Sequence, residues 1–204
     1  MAASFEIEQT LWEQGYQYIV GLDEVGRGSW AGPVVVAAVI FPQNTTLDVV
    51  LDDSKKLTPT KRAKLISPIQ ETSLAYAYGS ADNRYIDTYG IVPATQYAMK
   101  SALEKLSVQP DFHLVDAFII EHINEARQQA IIRGDAISSS IAAASILAKE
   151  YRDALMRTYD NDESYAPYQF GQHKGYGTKI HSEAISAFRL SDLHRKSFVP
   201  DRLL

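Results

Sequence analysis

Apolar positions along this chain fall into two periodicities. YIVGL (18–22) and PVVVAAVIFP (33–42) are dense in β-branched residues, and the second run is apolar enough for a strand covered on both faces. SLAYAYGS (73–80), FHLVDAF (112–118) and the short QAIIRGD (129–135) predict three further strands. Between them the spacing changes to three and four. Thr60 to Gln70, following Pro59, predicts a short helix, and ATQYAMKSALEKL (94–106) an amphipathic one. SSSIAAASILAKEYRDALMRTY (138–159) predicts a long helix opened by serines able to cap it, and further helical stretches are expected near 180–190 and in the segment before. Three strands, then alternating helix and strand, predict an α/β layer fold with a mixed sheet, as one domain over residues 1–204.

Composition narrows the chemistry. With 204 residues and 46% hydrophobic content the chain can fill one sizeable core. Cysteine is absent, which removes disulfides, zinc–thiolate sites and cysteine nucleophiles and suits a reducing cytoplasm. The start, MAASFEIEQTLWEQGYQ, has no basic-then-apolar leader pattern, and no apolar run approaches the roughly 20 residues that span a bilayer. A cytoplasmic protein is expected. The formal net charge of -5 argues against coating nucleic acid by bulk charge. Basic residues are clustered, however: residues 52–64 hold five Lys/Arg against two Asp, and residues 173–196 hold five against Glu183 and Asp192. Such segments are ordinarily solvated faces, unless an anionic substrate is indicated elsewhere.

Carboxylates supply that indication. Asp23 and Glu24 end the first strand, Asp116 ends the fourth, and Asp135 follows the fifth just before the long helix. Taken singly, Asp135 could serve a helix dipole and Asp116 a turn. Taken together on adjacent strands they would repel one another unless cations neutralise them, and hard oxygen ligands suit Mg²⁺ or Mn²⁺. Neighbouring strand residues point to opposite faces, so Asp23 and Glu24 are expected to share a site through a break at Val25-Gly26. Gly26-Arg27-Gly28 could expose backbone N–H groups to a sugar or phosphate, though the triplet alone reads more readily as a tight turn between strands. In HKGYGT (173–178), Tyr176 stands between two glycines, free to stack on a ligand or to pack on its own domain.

The order of these motifs says more than any one of them. GLDEVGRGSWAGPVVVAAVIF, DDSKKLT, LVDA, GDAISSSIAAASILAKEYRD, HKGYGTKIH and LHRKSF together resemble the ribonuclease HII family, the bacterial type 2 ribonucleases H, across almost the whole chain. The resemblance implies a ribonuclease H-like fold, a five-stranded mixed sheet flanked by helices with a helical C-terminal part. It also implies metal-dependent cleavage of RNA paired with DNA, including single ribonucleotides in duplex DNA, in ribonucleotide removal and RNA primer degradation, leaving 3′-hydroxyl and 5′-phosphate ends. The family's four acids fall on Asp23, Glu24, Asp116 and Asp135, its junction-reading triplet on Gly26, Arg27 and Gly28, and its stacking tyrosine on Tyr176. Ser29-Trp30 depart from the proline and leucine-like residue usual after that triplet.

Two divalent ions are then expected, with Asp23 and Asp116 as central ligands and Glu24 and Asp135 completing the shells. Lys55, Lys56 and Lys174 are candidate phosphate contacts, and the Gly26–Gly28 backbone a candidate contact to the 2′-hydroxyl. The final VPDRLL does not resemble a sliding-clamp peptide, so no clamp contact through it and a monomer are expected. A resolvase or type 3 enzyme would keep the acids without the HKGYGT partner to GRG or with an added N-terminal domain. A non-catalytic nucleic-acid binder would be hindered by four acids, and a small-substrate phosphatase would not need the basic segments. His113 reads as structural, and His122, His173, His181 and His194 lack an acid partner at a telling spacing.

Overall fold

Helix α1 (Glu6–Glu13) leads into strand β1 (Ile19–Val25), which turns back as β2 (Val34–Ile40). Helix α2 (Pro59–Thr72), strand β3 (Ala75–Ala81), helices α3 (Asn83–Tyr89) and α4 (Ile91–Glu104), strands β4 (Phe112–Asp116) and β5 (Gln128–Ile131) and the long helix α5 (Ser139–Thr158) follow, and the chain closes with α6 (Phe170–His173) and α7 (Lys179–Phe188). The computed structural model describes residues 3–47, 49–51 and 57–204. The sheet order is β3-β2-β1-β4-β5. β1 to β3 form an antiparallel meander, whereas β4 and β5 run parallel to β1. The expected five-stranded mixed sheet is present.

Burial explains the order. Every residue of β2 is buried, as its unbroken apolar run required, so helices cover both faces of the sheet centre. On one face α4 lies across β2 and β3, packing Ala94, Ala98, Met99 and Ala102 onto Val34, Val36, Ala77 and Ala81. On the other face α5 lies across β1 and β2, with Ala142, Ala143, Ile146 and Leu147 against Ala37 and Val39. Glycine permits both approaches: a side chain on Gly79 would overlap the Ala98 backbone, and one on Gly21 the Ser140 backbone. The start of α5 is fixed by Ser138, whose Oγ accepts the Ile141 N–H at 3.3 Å.

Some boundaries differ from the sequence reading. The fifth strand ends at Ile131 because Arg133 adopts φ 60°, which opens a 3-10 turn over Gly134–Ala136. Helix α4 begins at Ile91, ahead of the expected Ala94. Helices α1 and α3 were not anticipated. The first buries only Glu8 and Leu11, and the second is a seven-residue element begun by Asp82, whose side chain accepts the Tyr85 N–H at 2.7 Å. Neither has an apolar stripe long enough to read. No helix among the described residues is long and apolar enough to cross a membrane.

Candidate active site

Strand register brings Asp23 and Asp116 side by side. Leu22 lies opposite Val115, so Asp23 and Asp116 are the next residues on adjacent parallel strands. Asp116 lies opposite Ile131 on β5, and the turn that follows brings the Gly134 N–H back to Asp116 Oδ1 at 2.7 Å, with Asp135 one residue on. β1 does not break before its acids. Asp23 and Glu24 both remain paired, with Ala37 and Val36, and the break comes at Gly26 with φ 89°. Both nonetheless line one cleft of about 450 Å³, together with Val25, Arg62, Ser145, Lys149 and Tyr176.

Burial sets the electrostatics. Asp23 is 5% exposed, and its carboxyl is held well above the usual range by burial first, then by the charges of Glu24 and Asp116, against a hydrogen bond from Ser145. Glu24 is also raised, by burial most and by Asp116, against the opposing charge of Arg27. Its Oε1 lies 3.4 Å from Arg27 Nη1, while Oε2 is buried with no hydrogen-bond partner. Mutual repulsion, deep burial and an orphaned oxygen form a donor set suited to a hard divalent cation. No three His, Asp or Glu side chains among the described residues are gathered into a ready-made coordination cage. Three of the acids have turned an oxygen to a local donor: Asp23 Oδ1 to the Glu24 N–H at 2.7 Å, Glu24 to Arg27 and Asp116 to Gly134.

Two buried arginines that the sequence reading passed over build the wall beside these acids. Arg152 of α5 donates from Nε to the Pro33 carbonyl at 2.9 Å, from Nη2 to Ser29 Oγ at 2.9 Å and from Nη1 to the Lys174 carbonyl at 2.9 Å. Arg195 donates to the carbonyls of Gly32 and Arg27 at 2.8 and 2.9 Å. Gly26 must be glycine twice over: its φ is positive, and a side chain there would overlap the Arg152 guanidinium. The departure at Ser29-Trp30 is absorbed. Ser29 takes a bond from Arg152, and the Trp30 ring packs over Gly177, where a side chain would overlap it. The Trp30 N–H donates to the Gly175 carbonyl at 2.8 Å, which ties the GRG loop directly to the Tyr176 loop.

Tyr176 is 36% exposed, with its ring 5.6 Å from the Arg152 guanidinium and 6.0 Å from Lys149 Nζ. The guanidinium of Arg27 rests 4.2 Å from the Phe118 ring centroid. Lys174 does not line that cleft, and its ammonium donates to the Gly171 carbonyl. Lys55 and Lys56 lie outside the described residues. Two other cations line the cleft: Arg62, bonded to Glu150 Oε1 at 2.7 Å, and Lys149, bonded to Asp153 Oδ1 at 2.8 Å. Arg62 sits in the basic 52–64 segment, whereas Lys149 lies on α5, outside both basic segments.

Comparison with known proteins decides the family. A family model described as Ribonuclease HII matches residues 20–200. The chain belongs to the ribonuclease HII family. It is 49% identical over 193 residues to the ribonuclease HII of Desulfitobacterium hafniense (strain DSM 10664 / DCB-2), covering 95% of this chain and 73% of that one. Its fold is similar to ribonuclease H2 from Pyrococcus horikoshii OT3, with TM-score 0.69 at 22% identity over 88% of this chain and 93% of that one. It is likewise similar to Bst-RNase HIII in complex with Mn²⁺, with TM-score 0.67 at 20% identity over 92% and 68%. As a ribonuclease HII, the protein is an endoribonuclease acting on RNA–DNA hybrids.

Proposed function

We propose that this ribonuclease HII is a single catalytic unit that cuts at individual ribonucleotides embedded in duplex DNA as well as within hybrids, leaving 3′-hydroxyl and 5′-phosphate ends. The observation that carries the reading is the shared cleft, which has Asp23 and Glu24 on one wall and the exposed ring of Tyr176 on another. Asp23, Glu24, Asp116 and Asp135 are the residues that would hold two divalent ions, Mg²⁺ or Mn²⁺; the Mn²⁺ complex of the structurally similar Bst-RNase HIII supports a divalent cation here. When bound, such ions supply neutralising charge and orient an attacking water and the leaving oxygen.

The chain's own groups do the rest. Ser145 and the Glu24 N–H hold the Asp23 carboxyl, and Gly134 holds that of Asp116, so two acids are aimed before substrate arrives. The positive φ of Gly26 turns the chain out of the sheet, so the peptide groups of Gly26–Gly28 can approach a ribose 2′-hydroxyl. A methyl group on Gly28 would meet nothing within 4 Å, which leaves that face open to a ligand. Tyr176 stacks on the deoxyribose that follows the ribonucleotide, and the two loops together test for ribose followed by deoxyribose. Phosphate contacts fall to cations at the cleft and, outside the described residues, to Lys55 and Lys56; Lys174 keeps two further donors beside the one it gives Gly171.

The test uses an end-labelled DNA duplex with one ribonucleotide, incubated with Mg²⁺ or Mn²⁺, with the cut mapped and the new ends identified. A single cut at that nucleotide with a 3′-hydroxyl is expected. Cleavage confined to long hybrids would refute the junction reading.

A further inference from the structure

Three histidines that the reaction does not use are packed against the backbone of the Tyr176 loop. His173, His181 and His194 are 7%, 0% and 2% exposed. The rings of His173 and His181 stack at 4.3 Å, and those of His181 and His194 lie 5.1 Å apart. Their shorter hydrogen bonds favour one assignment of protons. A backbone N–H can only donate and a carbonyl can only accept. His194 Nδ1 receives the Ser191 N–H at 2.9 Å and has the Ser191 Oγ at 2.8 Å, both nearer than the Ser191 carbonyl at 3.3 Å, which assigns Nδ1 as the acceptor and the proton to Nε2. His181 Nδ1 lies 3.0 Å from the Tyr176 carbonyl, so it is the protonated nitrogen. The 3.0 Å bond between His194 Nε2 and His181 Nε2 then runs from the first to the second, with no proton short or in excess. His173 obeys the same rule: its Nδ1 receives the Gly175 N–H at 3.2 Å, and its Nε2 donates to the Tyr168 carbonyl at 2.8 Å.

Two polar groups of consecutive residues, the Gly175 N–H and the Tyr176 carbonyl, are therefore each gripped by an imidazole. We propose that His173, His181 and His194 form an uncharged relay that fixes the backbone on both sides of Tyr176, and are positioning residues for discrimination at the RNA–DNA junction. The proposal rests on the reading of Tyr176 given above. A second proton on His194 would confront the Ser191 N–H, one on His173 the Gly175 N–H, and one on His181 the donor on His194. Each would loosen the loop while leaving Asp23, Glu24 and Asp116 untouched. Burial, the first cause of the lowered affinity of all three rings for protons, keeps the uncharged form in place near neutral pH.

The first test is nitrogen-15 NMR of the histidine rings in the full chain at pH 7. Nδ1–H on His181 with Nε2–H on His173 and His194 is expected, and a charged ring or another tautomer at any of the three overturns the relay. The second compares kcat/KM on a duplex with one ribonucleotide and on a long hybrid, with melting checked for each variant. His181→Asn keeps a donor near the Nδ1 position and should retain most of the ratio. His181→Gln cannot reach the Tyr176 carbonyl in the same way and should lower the ratio about tenfold, with long-hybrid cleavage little changed. Should His181→Gln fail to fold, His194→Gln, which removes the acceptor for Ser191, makes the same test. In combination with Tyr176→Ala, the histidine change should lower the ratio no further, because it acts through that ring. An unchanged ratio in the glutamine variant beside a collapsed ratio in Tyr176→Ala overturns the relay alone. An unchanged ratio in Tyr176→Ala overturns the reading of Tyr176 and the relay with it.

Discussion

Asp116 Oδ1 accepts the Gly134 N–H at 2.7 Å, and through this bond the end of β4 sets the turn that carries Asp135. An amide oxygen can accept the same bond. Asp116→Asn should therefore keep the turn and the fold while removing nearly all cleavage, because a ligand charge is lost and little volume changes. Without divalent ions the variant should melt at or above the wild-type temperature, since Asp116 is one of the charges repelling Asp23. Near-normal turnover would remove Asp116 from the site, and a large drop in melting temperature in chelator would make it a structural residue.

Gly26 and Gly28 should separate under the same substitution. Gly26→Ala puts a side chain into Arg152 at a positive φ, so it should cost stability and activity together. Gly28→Ala meets nothing within 4 Å, and its melting temperature should stay within a degree or two of wild type. Any loss of kcat/KM in Gly28→Ala then reports the substrate face of the loop. If both variants melt normally and cleave normally, the triplet is a turn and no more.

Glu8 offers a test of how α1 supports the site. Its Oε1 accepts from Ser138 Oγ at 2.6 Å, Ser140 Oγ at 2.6 Å and the Ser140 N–H at 2.9 Å, which binds the N-terminal helix to the start of α5 just beyond Asp135. Glu8→Ala strands these donors in a buried place. A loss of about 2–4 kcal/mol is expected, visible as a fall in melting temperature of several degrees. A fall below one degree would mean that water or side-chain rearrangement replaces the clasp.

How far these features are legible in the sequence depends on where each residue finds its partner. Asp23 and Glu24 stand out because charge at the end of an apolar strand is costly without a use, and the sheet follows from β2, whose seven buried residues could hardly be anything else. Arg152 and Arg195 do not stand out. In the sequence they resemble solvated cations on helical or basic segments, yet both are fully buried and bonded to backbone carbonyls of a distant loop. The histidines are harder still, because His181 and His194 partner one another and main-chain groups rather than acids. Hydrogen bonds to backbone leave no trace in side-chain spacing. Helix α1 is hidden differently: it lacks an apolar stripe long enough to read, and its one buried acid is matched by serines far along the chain.

The buried rings also set a pH dependence of stability whose sign is fixed. His181 and His194 are pushed down to about 4 from an ordinary 6.5, by burial first and by His173 among the neighbouring charges, with Asp192 opposing on His194. Between those values the unfolded chain binds protons that the folded chain refuses, so stability rises with pH there. The contribution is complete above about pH 6.5 and is lost progressively as pH falls toward 4. Each ring adds up to one proton to the slope. Melting followed from pH 7.5 to 4.5 should thus be steeper for wild type than for His194→Gln, by roughly one proton near pH 5, and the two curves should approach one another on the acid side. Wild-type protein should also lose discrimination between single ribonucleotides and long hybrids as it nears the lower end of that range, while Tyr176→Ala, having none to lose, stays flat. Parallel melting curves for wild type and His194→Gln would mean that His194 takes up its proton as readily folded as unfolded, against the Ser191 N–H at its Nδ1.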